Sequence, residues 1–148
     1  MSMFSAFNIN ASGLTAQRYR MDVISENVAN ASTTRTADGT PYRRKVVTFV
    51  QKGESNDFSK VLGRVTRGFS GQGVRVGAVG EDNVTPMNMV YDPSHPDADE
   101  NGYVTYPNVN IITEMTNLID ASRAYEANST AFNASKSMAL QGLELGKQ

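Results

Sequence analysis

Apolar residues recur every seven positions at both ends of this chain. Ile111, Leu118, Tyr125, Phe132 and Ala139 form one such series, with Met115 and Leu143 in a companion register and no proline from Asn108 onward. A sustained seven-residue period predicts a long helix with a packing seam. Extending from about Asn108 to Leu143, it would reach roughly 50 Å at about 1.5 Å per residue. At the other end Phe7, Leu14, Met21 and Val28 repeat in the same way, flanked by Ala11, Ile24 and Ala31. The expected fold is α+β and mainly helical, with long N- and C-terminal helices paired as an antiparallel coiled coil. Arg18, Ser122 and Ser129 are poor seam residues, so an amphipathic helix pair packed on a middle domain stands as the alternative.

Between the helices the period changes. Asp38, Gly39 and Pro41 make a turn, and Arg43 to Gln51 reads as a strand because Val46, Val47, Thr48, Phe49 and Val50 are β-branched or aromatic. Glycines then accumulate from Gly53 to Gly80, which favours hairpin turns and a loop. Strands are expected near 46 to 51, 73 to 79 and 86 to 91. The chain divides into a helical segment 1–34, a β-rich middle 35–106 with a Gly-rich loop, and a helical segment 107–148.

Charge refines the helical picture. Met1 to Gln17 carries no charged side chain, and Lys136 is the one charge from Ala127 to Leu143. Helices that lack a charged solvent face, yet are too polar for lipid, are covered by protein on several sides. Antiparallel pairing brings these two stretches together, and one chain cannot surround them. An assembly of many copies, or of several related chains, is therefore expected, and before assembly the ends are expected to be largely disordered.

The chain has 148 residues and a net charge of −1, with no cysteine and one histidine. No field recruits nucleic acid or an acidic membrane, so protein partners are expected. Thiolate chemistry, disulfides and Cys-based metal sites are excluded. No basic region followed by an apolar run opens the chain, and no run of 18 apolar residues occurs, so neither an ordinary secretory signal nor a direct membrane span is expected. Export would need another route.

Few residues suggest chemistry. The basic run Arg43, Arg44 and Lys45 has no interleaved aromatics and reads as a solvated strand edge or an interface rim. Asp97, Asp99, Asn101 and Gly102 match the first half of a calcium loop, but Asn108 stands where a bidentate Glu is required. A proline-bounded turn with Asp and Asn side chains bonded to their own backbone fits better. His95, between Ser94 and Pro96, can form neither a metal site nor a triad with its sequence neighbours. No catalytic residue, cofactor or metal is expected.

Three passages resemble the bacterial flagellar rod and hook family. Ser25 to Thr33 is similar to its N-terminal signature, with Ala29, Asn30 and Thr33 on the Ala-Asn-x-x-Thr core. Tyr91 to Asp99, with Gly102 to Val104 and Pro107 to Val109, resembles a segment of one rod member. Met115 onward, with Ala121 to Asn128, is similar to the C-terminal helix. The resemblance implies a non-enzymatic subunit of the proximal rod of the basal body, exported unfolded by the flagellar type III apparatus and assembled in the periplasm. Its implied partners are other rod proteins and copies of itself, with the membrane-embedded ring and export gate nearby. The subunit-interface residues on this view are Phe7, Leu14, Met21, Val28, Ile111, Leu118, Tyr125 and Phe132. A soluble coiled-coil adaptor, in one version regulated by calcium at Asp97 and Asp99, is the rival from another class. A rod-associated cell-wall-remodelling enzyme is a second rival, disfavoured by the lack of a paired acid constellation.

Overall fold

A computed structural model describes residues 3–52 and 71–146. Two long helices, α1 (Met3–Ala29) and α2 (Ile111–Leu145), enclose four strands in sequence: β1 (Lys45–Gln51), β2 (Val74–Glu81), β3 (Asn88–Tyr91) and β4 (Tyr103–Tyr106). The strands form two two-stranded sheets, β1 with β2 and β3 with β4. The mainly helical α+β class is as expected. So are three of the strands, to within two residues at their starts and ends. Residues 53–70 of the Gly-rich loop lie outside the described residues.

Contacts divide the chain into two compact units. The first contains residues 1–19, 49–77 and 121–148. Here Phe7 meets Phe132 edge to face with ring centroids 5.1 Å apart, and Gly13 lies against Asn128. The two pairs run in opposite senses along the sequence, so the helices are antiparallel. A Cβ on Gly13 would fall 2.7 Å from Asn128 Oδ1; the close approach requires the missing side chain.

The start of β2 is fastened to α1 in the same unit. The Ser12 hydroxyl donates to Ile9 O at 2.7 Å and accepts from Val74 N at 3.0 Å. Gly73 just before it has φ +85°, and a Cβ there would lie 2.2 Å from Ser12 Oγ. Lys52 N donates to Gly73 O at 2.9 Å.

The second unit contains residues 20–48 and 78–120. Arg44 O accepts from Asp82 N, while Thr48 Oγ1 donates to Ala78 O, so β1 and β2 run antiparallel. Strands β3 and β4 pair antiparallel, with Val90 opposite Val104 and Tyr91 opposite Tyr103. Strand β4 was not foreseen: Tyr103 to Tyr106 has two aromatics and two β-branched residues, but it follows an acidic turn and is only four residues long. Helix α2 starts at Ile111 rather than near Asn108, because Asn110 caps it. Its Oδ1 accepts from Ile112 N at 3.0 Å and Thr113 N at 3.2 Å.

Gly73→Ala is expected to destabilise the chain by about 1–3 kcal/mol, from the positive φ alone and before the collision with Ser12 is counted. Urea unfolding monitored by circular dichroism measures it, and Gly80→Ala, where a Cβ would meet nothing within 4 Å, serves as the control.

Candidate functional site

The second unit is built around a buried amide. Asn27 is 0% exposed, and each of its polar atoms carries two bonds. Its Nδ2 donates to Lys45 O at 2.9 Å and to Glu114 Oε2 at 3.0 Å. Its Oδ1 accepts from Lys45 N and from the Tyr42 hydroxyl, both at 2.9 Å. That is the full capacity of an amide side chain.

Glu114, in the first turns of α2, is 1% exposed. Its Oε1 accepts from Arg44 Nε at 2.9 Å and Nη2 at 2.8 Å, and from Asn117 Nδ2 at 3.3 Å. A buried carboxylate is tolerated because a guanidinium and two amides surround it. Asn108 adds a second layer: its Oδ1 accepts from Arg44 N, and its Nδ2 donates to Asp82 O and Thr85 O. Lys45 Nζ pairs with Glu26 and lies 5.7 Å from the centre of the Tyr42 ring.

The run Arg43 to Lys45 therefore differs from the expected solvated edge. Arg44 and Lys45 point at carboxylates of the two helices, and Arg43, which is exposed, donates to Asn83 Oδ1 at 3.0 Å.

Two groups in and beside this junction have displaced titrations. Burial, with the nearby charges of Glu26, Glu114 and Glu81, pushes the Tyr42 hydroxyl up to about 12. The Thr85 amide and hydroxyl, with the Val84 amide and Arg44, hold Asp82 down at about 2.

The motif residues form the turn that ends α1. Asn30 donates from both its backbone N and its Nδ2 to Glu26 O, at 3.1 and 2.9 Å. The Thr33 hydroxyl donates to Asn30 Oδ1 at 3.2 Å, and Thr33 N donates to Asn30 O. Tyr42 N then donates to Thr33 O at 3.1 Å. The turn thus leads from the helix end to the residue whose hydroxyl bonds Asn27. Ala29 is exposed and joins none of these bonds.

The expected seam residues differ in burial, and Phe7 and Phe132 among them meet across the helix pair. In the first unit Phe7, Leu14 and Phe132 are half-buried and Tyr125 is exposed. In the second, Met21, Val28 and Leu118 are half-buried and Ile111 is exposed. Along α2 the most buried line is Glu114, Ala121 and Ser135, with half-buried Asn128 at the remaining seven-residue step. The period was correct, but the innermost line is small and polar, and Met115 and Leu143 lie exposed.

The acidic turn uses its oxygens locally. Asp92 Oδ1 accepts from Ser94 N and its hydroxyl, and Asp99 Oδ1 accepts from Asn101 N and Tyr103 N. Asp97 accepts from the Thr34 hydroxyl at 2.8 Å and pairs with Arg35 at 3.5 Å. His95 Nδ1 accepts from Asp97 N. Asp92 and Asp99 thus make the side-chain-to-backbone turn expected, whereas Asp97 reaches Thr34 and Arg35. Among the described residues no group of three or more His, Asp or Glu is placed to hold a metal, and no helix is long and apolar enough to cross a membrane.

Residues 7–35 match the model for the flagella basal body rod protein family, and residues 100–145 match that for the C-terminal region of the flagellar basal body rod FlgEFG proteins. The chain is 48% identical to the flagellar basal-body rod protein FlgC of Bacillus subtilis, an alignment covering 99% of this chain and 100% of that one. It is 50% identical to FlgC of Borreliella burgdorferi over 93% of each chain. To FlgC of Salmonella typhimurium it is 40% identical over 99% of this chain and 100% of the relative.

The chain belongs to the FlgC family of flagellar basal-body rod proteins.

It is accordingly a structural protein of the basal body and not an enzyme. The polar junction around Asn27 draws on both matched regions, since Asn27 lies in the first and Glu114 in the second. Sequence reasoning missed it, although Asn27 stands within the Ser25 to Thr33 passage that resembles the family's N-terminal signature.

Asn27→Ala is expected to cost at least about 2 kcal/mol, since each buried group left without a partner costs about 1–3 kcal/mol. Chemical denaturation at neutral pH measures this. The titration of Tyr42 adds a pH dependence: its raised pKa contributes stability that is present below pH 10 and is lost as pH rises from about 10 to 12. Tyr42→Phe should flatten that alkaline limb in denaturation series at stepped pH.

Proposed function

We propose that this chain is a structural subunit of the flagellar basal-body rod, whose two helices supply contacts to neighbouring subunits while the polar junction fixes their local geometry. The FlgC relatives support the rod assignment, and assembly with other rod components follows from it. The finer picture goes further. The subunit sits in the proximal rod with copies of itself and other rod proteins, near the membrane-embedded ring and the export gate. The helices line the tube around the export channel, and the chain reaches the periplasm by type III export.

One observation carries the contact role: the helices leave large apolar side chains uncovered. In the second unit Ile111, Ile112, Met115 and Ile119 are exposed along the first turns of α2, with Ile112 at 78%. In the first unit Met138, Leu140, Leu143 and Leu145 are exposed near its end. An apolar run of this length on a soluble helix marks a surface that another protein covers. Neighbours related by a repeated, non-closing operation generate a helical tube from such surfaces. Phe7, Leu14, Met21, Val28, Leu118, Tyr125 and Phe132 extend the surface within each unit. The rod transmits torque mechanically, through many such contacts acting together.

The doubly substituted chain Ile111→Ser/Tyr125→Ser alters two exposed positions and should keep its far-ultraviolet dichroism. Its recovery in detergent-extracted basal bodies, measured by quantitative mass spectrometry, should fall at least about tenfold, the equivalent of about 1.4 kcal/mol. Swimming in soft agar should fall with it. Wild-type incorporation and motility in this variant would refute the helix contact, and absence of the wild-type chain from basal bodies would refute the rod assignment itself.

A further inference from the structure

On the outer face of the β3–β4 hairpin the β3 side chains Met89 and Tyr91 are exposed, while Tyr103 and Thr105 of β4 share a pocket with Thr34, Arg35 and Pro41. The hairpin's register places Val90 opposite Val104, which is fully buried, on one face. The other face carries Tyr91 opposite Tyr103 and Met89 opposite Thr105. There Met89 and Tyr91 are 63% and 64% exposed, and Tyr103 is exposed as well. The Tyr91 and Tyr103 rings meet edge to face with centroids 5.2 Å apart.

The rings are held in place from behind. Gly102 has φ +80°, and a Cβ on it would come within 2.9 Å of Tyr91 Cε2 and 3.2 Å of Pro93 Cβ. Asp99 bonds the amides of Asn101 and Tyr103, and Gly102 O accepts from Asp92 N at 2.9 Å. An ordered aromatic pair loses little side-chain entropy when a partner arrives.

Charge identifies the partner. The turn between β3 and β4 contains Asp92, Asp97, Asp99 and Glu100, with His95 its one basic side chain; Asp97 already pairs with Arg35, which leaves Asp92, Asp99 and Glu100 as the acids not ion-paired among the described residues. Aromatic rings beside carboxylates suit arginine, whose guanidinium stacks on a ring while its N–H fork bonds an acid. This chain carries a matching stretch. No acidic residue occurs from Phe58 to Gly80, and Lys60, Arg64 and Arg67 are spaced among Val61, Leu62 and Val65. That stretch lies outside the described residues, so its charge pattern is the property that counts.

We propose that the Met89, Tyr91 and Tyr103 face of the hairpin, with its acidic turn, docks the basic stretch 60–67 of a second copy of this chain. The inference rests on the rod-subunit reading, in which copies lie side by side. Three side chains present on the order of a few hundred Å² at most, against about 800 Å² per partner in a stable complex. The contact is thus weak by itself and forms between subunits that other surfaces already hold together.

Titration of the full-length, isotope-labelled chain with a synthetic peptide of residues 58–69 tests it by nuclear magnetic resonance. Shifts should concentrate on residues 88–106 and diminish with added salt. Binding should weaken at least about fivefold for a peptide carrying R64E and R67E, and equally for the chain carrying Tyr91→Ala, whose side chain is exposed and whose far-ultraviolet circular dichroism should match the wild type. No shifts at millimolar peptide, shifts mapping to the α2 face instead, or equal binding of the charge-reversed peptide would each overturn the proposal. Peptide binding needs no assembled rod, so a negative result leaves the basal-body assignment standing, and absence from basal bodies leaves the peptide result standing.

Discussion

The second unit depends on one buried amide having all of its hydrogen bonds. Asn27 joins three segments distant in sequence: the end of α1, the start of β1 and the beginning of α2. An amide in the interior is costly unless both ends are satisfied, and the cost rises as the surroundings become drier. Here Lys45, Tyr42 and Glu114 satisfy it, and any shift of one segment breaks bonds in the other two. The arrangement specifies a geometry more sharply than apolar packing can, because hydrogen bonds are directional and a displaced partner leaves another group unpaired.

Glu114 extends the same constraint. A carboxylate at 1% exposure demands a cation, and Arg44 supplies one through two of its nitrogens. Arg44 in turn reaches Asp82 at 3.5 Å, and Asn108 fixes the adjacent backbone. The turn after α1 serves this network, since Asn30 and Thr33 set the path of the chain to Tyr42. A motif at a helix end thus acts through the residue it delivers. Ala29, which the network does not use, is left on the surface.

The helix surfaces follow a different logic. The most buried positions on α2 are small or polar, and Gly13 allows α1 to approach Asn128 closely. With backbones this near, the large apolar side chains of α2 stay half-buried or exposed.

The sequence by itself determined the two long helices, three of the four strands and the family, because period, β-branched runs and the turn motif are local signals that survive without a partner segment. It also placed the acidic turn correctly, since Asp92 and Asp99 bond amides two to four residues away. It could not assign the seam line. Phe7 and Phe132 do meet between the helices, but the most buried line of α2 runs through Glu114, Ala121 and Ser135, and finding it requires knowing that Gly13 faces Asn128. Nor could it find the polar junction: Asn27, Arg44 and Glu114 are unremarkable singly, and 87 residues separate the two that share the central bond. Only the tertiary structure decided those, because a buried polar group has meaning solely through the distant partners that replace its water.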